Sequence, residues 1–131
     1  MQKIQNYVCG EWVNGEGVET PLYNAITGEQ FAETSSKGLD YEAILAYGRN
    51  TGGEKLRKMT FHERGRMLKA LALHLISLKG KYYQLSAATG ATKIDSWIDI
   101  EGGIGNLFAN ASLRRQFPNL PYYVDGEAAP L

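Results

Sequence analysis

One cysteine, two histidines and four prolines are all that this chain of 131 residues holds of those types. The scarcity excludes a good deal. Cys9 has no second thiol to pair with, so no internal disulfide forms. A lone thiol fits a reducing, cytoplasmic setting. His62 and His74 lie twelve residues apart, and neither stands at metal-ligand spacing from Cys, Asp or Glu. No metal site is therefore expected. No run reaches the roughly 18 apolar residues of a membrane span, and MQKIQNYVCGEW lacks the apolar region of a secretory signal. Fourteen basic residues balance fourteen acidic ones, which removes a global electrostatic case for nucleic acid. Repeats and low-complexity tracts are missing as well.

What is present is enough for a packed fold. Hydrophobic residues make up 44% and charged residues 21%, a composition unlike that of disordered chains. The pattern predicts an α+β arrangement, with hairpin and extended segments over 1–37 and helices over 38–117. In NYVCGEWVNGEG, strand-favouring Tyr7, Val8, Trp12 and Val13 flank Cys9-Gly10, with Asn14-Gly15 as further turn chemistry. Thr27-Gly28 reads as a tight turn before an extended Gln30–Glu33. Asp40 is placed to cap a first helix that Asn50-Thr51-Gly52-Gly53 would end. Thr60 and Glu63 have capping-box spacing. The helix they open carries Met67, Leu68, Leu71, Ala72, Leu75 and Leu78 as one apolar stripe, and Gly80 would break it. A short third helix over 81–89 stops at Gly90. A fourth, opened by Thr92 and Asp95, should run to about Arg115, before Pro118 and Pro121. Tyr122–Val124 begins like a strand. Short strands and modest apolar area leave such a unit near energetic balance, which points to missing partners.

No catalytic constellation is visible. Cys9 sits in a turn without a base to activate it. Asp95 and Asp99 share a helix face and could serve acid/base work or hold a cation. Favourable interaction with the helix N-terminus is the simpler account. From Arg49 to Lys69 the chain carries seven basic residues against Glu54 and Glu63. That excess could meet phosphates, though basic runs more often form solvated faces. GEGV, TGG and GGIG do not make a phosphate loop, because the register, the preceding strand and the lysine are all absent. Gly102, Gly103 and Gly105 stand inside IDIEGGIGNLFANA, where each costs about 1 kcal/mol relative to alanine. Two readings stand: a close backbone approach at a helix crossing, or room left for a ligand.

The order of these parts resembles the aldehyde dehydrogenase family. YVCGEWVNG is similar to its Y-x-x-G-x-W hairpin. YNAITGE is similar to its N-P-x-T-G-E turn, with Ala25 in place of proline. MTFHERGRMLKALALHL resembles its R-x-x-x-L helix. TGATKIDSWIDIEGGIG most resembles the subgroup that acts in aerobic, CoA-bound degradation of aromatic rings. That subgroup includes the phenylacetate type, joined to an enoyl-CoA hydratase-like domain, and, as a near second, the semialdehyde dehydrogenases of the benzoyl-CoA pathway. The resemblance implies an N-terminal lobe, with 118–131 leading toward oligomerisation strands and a cofactor domain not contained here. It implies cysteine attack, a thiohemiacetal, hydride transfer to NAD or NADP, and deacylation by water. The nucleophile, the general base and the nicotinamide site all match positions beyond Leu131. Cys9 does not match the nucleophile, so no catalytic, cofactor-binding or metal residue is expected in this chain, which alone would be inactive. Many relatives hold a monovalent cation with an acidic residue two before the glycine matching Gly90. Ala88 stands there, and that site is not carried over. The helix matching Asp99–Leu113 borders the substrate tunnel, and Gly102 falls where many relatives carry a bulky side chain. Gly102, Gly103 and Asn106 are thus expected along a tunnel widened for a CoA-thioester semialdehyde. The implied partners are the rest of the dehydrogenase chain and further copies in a homo-oligomer, with no nucleic acid or membrane. Two other classes stay open: a free-standing helical interaction module, and a phosphate- or nucleic-acid-binding domain using Arg49–Lys69.

Overall fold

The computed structural model describes residues 2–123. The fold is α+β, with short strands first and helices after them. It divides into two compact units, one of residues 1–52 with 88–90 and one of residues 53–87 with 91–131.

The first unit holds five strands. β5 (Gln30–Thr34) is central, with β1 (Gln2–Ile4) parallel on one side and β4 (Thr20–Tyr23) antiparallel on the other. Ala32, midway along β5, is buried and pairs with Gln2 and Leu22. Pro21 lies on an edge strand, the position where a missing N–H does least harm. β2 (Asn6–Val8) and β3 (Glu11–Val13) form the expected hairpin. Its turn places Cys9 at φ 53° and Gly10 at φ 91°, the left-handed pair that two-residue hairpins favour. Tyr7 and Trp12 face each other across it, ring centroids 4.9 Å apart.

The second expected turn, at Asn14-Gly15, does not form. Gly15 serves instead for close approach: a Cβ there would lie 2.1 Å from the Ser35 carbonyl oxygen. The Thr27-Gly28 turn is present. The Asn24 side-chain oxygen accepts from the N–H groups of Ile26 and Thr27, and Gly28 takes φ 75°. α1 (Tyr41–Tyr47) is capped by Asp40, whose carboxylate accepts from Ala43 N–H at 2.9 Å. The segment Asn50-Thr51-Gly52-Gly53 does not end the helical path. Gly48–Gly52 forms a π-helical turn, and Gly53 opens α2 (Gly53–Lys58). Neither Gly52 nor Gly53 has a positive φ, so the left-handed stop never develops.

In the second unit α3 (Phe61–Ser77) and α5 (Lys93–Ser112) both begin with complete capping boxes, at Thr60/Glu63 and Thr92/Asp95. α3 ends at Leu78 rather than at Gly80, which lies in the first turn of α4 (Lys79–Ala87). A 3-10 turn (Leu113–Gln116) follows α5. α3 and α5 pack antiparallel. Gly65 sits against Ala111 and Arg114, while Leu75 lies near Ile104. A Cβ on Gly65 would come within 3.0 Å of the Ala111 carbonyl oxygen, so this glycine sets the spacing. The chain after the 3-10 turn folds back over the start of α3. Phe117 stacks on Phe61 at 4.6 Å, His62 Nε2 donates to the Phe117 carbonyl at 3.0 Å, and Phe61 N–H donates to that of Leu120. Tyr122 and Tyr123 are not in a strand, and the Val124 end of that expectation lies outside the described residues.

The core is thin. Among the described residues the buried hydrophobics are Ala32, Ala72, Ile104 and Ala111. Of the α3 stripe only Ala72 is buried, with Met67 and Leu71 exposed. Trp12 is 66% exposed, and Ile94, Trp97 and Ile98 on α5 are each more than half exposed. No helix among the described residues is long and apolar enough to cross a membrane.

Candidate functional site

α5 carries the three residues assigned by sequence to a tunnel wall. Its capping box fixes the start: the Thr92 hydroxyl accepts from Asp95 N–H, and the Asp95 carboxylate accepts from Thr92 N–H and Oγ1. Those bonds to Thr92 hold the Asp95 carboxyl below the usual carboxylate range. Asp95 thus has a structural role at the helix start. Among the described residues no three His, Cys, Asp or Glu converge as a metal site would require.

One face of α5 is buried through Ser96, Ile104 and Ala111. Gly102 and Gly105 lie on the outer side while Gly103 faces the groove toward α3 and α4, and a Cβ at any of the three would meet nothing within 4 Å among the described residues. Among the described residues the helix-crossing account of these glycines therefore has no partner. Gly103 opens into an apolar groove of about 380 Å³, bounded by Leu75, Tyr82, Ile100, Ile104 and Leu107. Gly102 and Asn106 are exposed one turn apart on the same helix. The Asn106 carbonyl accepts from Asn110 Nδ2 at 2.8 Å. The three residues form one patch, with Gly103 nearest the groove.

Sequence reasoning missed a polar cluster beside that groove. Glu101 accepts from Tyr83 Oη at 2.9 Å and from Lys79 Nζ at 3.2 Å. Both bonds, with the ammonium charge, hold Glu101 below its usual pKa, and burial with the Glu101 contact raises that of Tyr83. The spacing of Lys79 and Tyr83 shows in the sequence as i,i+4, but their shared acceptor on another helix does not. Ser86 and Ser96 add a hydroxyl pair at 2.9 Å. These groups tie α4 to α5.

The other candidates are spread out. Cys9 is exposed in its hairpin turn. The Ala88 carbonyl accepts from Ala25 N–H at 2.8 Å. Within the basic segment Lys58 pairs with Glu54, whereas Arg64 turns inward and donates to the Pro121 carbonyl.

No family model matches the chain. Over 103 residues, 78% of this chain, it is 36% identical to a 3,4-dehydroadipyl-CoA semialdehyde dehydrogenase of Aromatoleum evansii. The match supports an aldehyde dehydrogenase-type relationship. It spans 20% of that relative's length, so most of the relative has no counterpart in the chain.

Proposed function

We propose that the chain is the N-terminal scaffold of an NAD(P)-dependent aldehyde dehydrogenase that oxidises a CoA-linked semialdehyde in aerobic aromatic degradation. The observation that carries this reading is the 36% identity to a CoA-semialdehyde dehydrogenase. The structure is compatible with a scaffold role. Its apolar helix faces are left open, and among the described residues no atom lies within 4 Å of where a Cβ on Gly102, Gly103 or Gly105 would stand. In this reading the nucleophile and the NAD or NADP site belong to the rest of the enzyme, and the isolated chain is inactive. The exposed faces of α3 and α5 meet that remainder and other subunits of a cytoplasmic homo-oligomer.

Gly102, Gly103 and Asn106 wall one side of the substrate tunnel. Hydrogen at Gly102 in place of a side chain leaves width for a pantetheine-linked acyl chain, and the Glu101 cluster holds the wall in place. At the finest level, the substrate is that of the phenylacetate type, with a hydratase-like domain following. The test is Gly102→Leu in the complete enzyme. A bulky side chain there should raise KM for the CoA semialdehyde while leaving KM for a short free aldehyde alone. An unchanged KM for the CoA substrate would remove the tunnel role.

A further inference from the structure

We propose that the concavity between the start of α3 and the end of α5 binds a small oxyanion, a carboxylate or phosphate carried on an apolar body. The concavity has a volume of about 240 Å³ and is lined by Phe61, Arg64, Leu68, Leu113, Arg114 and Phe117. That is below the roughly 300–1,000 Å³ of pockets for drug-sized molecules, so the ligand is small. Two guanidinium side chains thus line one mostly apolar hollow. Neither forms an ion pair with a carboxylate among the described residues. Arg64 lies over the Phe61 ring at 4.4 Å and gives one Nη bond to the Pro121 carbonyl at 2.8 Å. Its Nε is buried and has no hydrogen-bond partner among the described residues. Arg114 Nη1 donates to the Ala111 carbonyl at 2.5 Å, which fixes its fork beside the same hollow.

Two cations lining one mostly apolar hollow favour a counter-charge there, and each guanidinium keeps N–H donors beyond its one backbone bond. An oxyanion in the hollow supplies that counter-charge. Planar guanidinium forks match the oxygens of carboxylate and phosphate, where lysine would offer only a point charge. The stacked Phe61–Phe117 pair, at 14° between planes, gives a flat surface for the apolar part of the ligand. The site does not depend on the dehydrogenase reading, and it gives part of the basic segment a function.

The test follows arginine Nε–H resonances of the 131-residue chain during titration with benzoate, phenyl phosphate, inorganic phosphate and neutral benzamide. Benzoate or phenyl phosphate should shift Arg64 saturably, more tightly than inorganic phosphate, while benzamide should not bind. Preference between the first two tells a carboxylate ligand from a phosphoester. Arg114→Gln should weaken binding at least about tenfold, as loss of a charged hydrogen bond implies. Arg115→Gln, exposed and outside the hollow, should change it less than about twofold. The shifts in the unaltered chain keep the test valid even if a variant misfolds. Benzamide binding as tightly as benzoate, shifts that never saturate, or equal losses in the Arg114 and Arg115 variants would overturn the proposal. Inorganic phosphate matching phenyl phosphate would overturn its apolar half.

Discussion

Two glycines on facing helices should respond to the same substitution in opposite directions. Gly65→Ala and Gly102→Ala each gain up to about 1 kcal/mol of helix propensity. At Gly102 nothing opposes the gain, because the new methyl meets open space. At Gly65 the methyl would stand 2.6 Å from Arg114 Cδ, 2.9 Å from Arg114 Cβ and 3.0 Å from the Ala111 carbonyl oxygen. Arg114 Cδ can swing aside. The other two atoms are tied to backbone, so α3 and α5 must separate. Overpacking of this kind costs about 1–3 kcal/mol, which exceeds the propensity gain over most of its range. The two variants should differ by that same 1–3 kcal/mol. In a chain of this size each kcal/mol shifts Tm by roughly 4 °C, which gives a separation of about 4–12 °C, with Gly102→Ala the higher. Thermal melts followed by far-UV circular dichroism measure it. A Gly65→Ala variant melting level with or above Gly102→Ala would refute the packing described for the α3–α5 contact.

Further outcomes follow from the polar network and the strand contacts. Glu101 has a folded pKa below its unfolded value, so its stabilisation is present above the ordinary carboxylate pKa and is lost as pH falls through the folded one. Urea unfolding across the acid range should therefore show a shallower decline for Glu101→Gln than for the parent chain; parallel declines would contradict the assignment. Gly15→Ala should destabilise the strand unit by about 1–3 kcal/mol, since its methyl would collide with the Ser35 carbonyl. Chemical denaturation of the variant checks this, and an unchanged midpoint would count against the contact.

Local chemistry was legible in the sequence wherever the partner is near in the chain. The caps at Asp40, Thr60 and Thr92 and the turns at Cys9-Gly10 and Thr27-Gly28 are decided within four residues, and they formed as expected. Most of what escaped depends on distant residues. β1 exists because Gln2–Ile4 pairs with Ala32–Thr34, some thirty positions away. The break expected at Gly80 falls at Leu78, because glycine is tolerated in a helix's first turn. Gly102, Gly103 and Gly105 on α5 left a close crossing and room for a ligand both open; among the described residues the close α3–α5 approach is set by Gly65. Gly102, Gly103 and Asn106 are named from sequence alone, while the Lys79–Tyr83–Glu101 cluster and the Arg64–Arg114 hollow arise only when α3, α4 and α5 come together.

The most direct measurement compares NAD(P)-dependent oxidation of a CoA-linked semialdehyde by the 131-residue chain alone and by a complete protein that contains it. We expect turnover from the complete protein and none from the chain alone. Turnover by the isolated chain, or a complete protein inert toward every CoA semialdehyde offered with either nicotinamide cofactor, would contradict the scaffold reading.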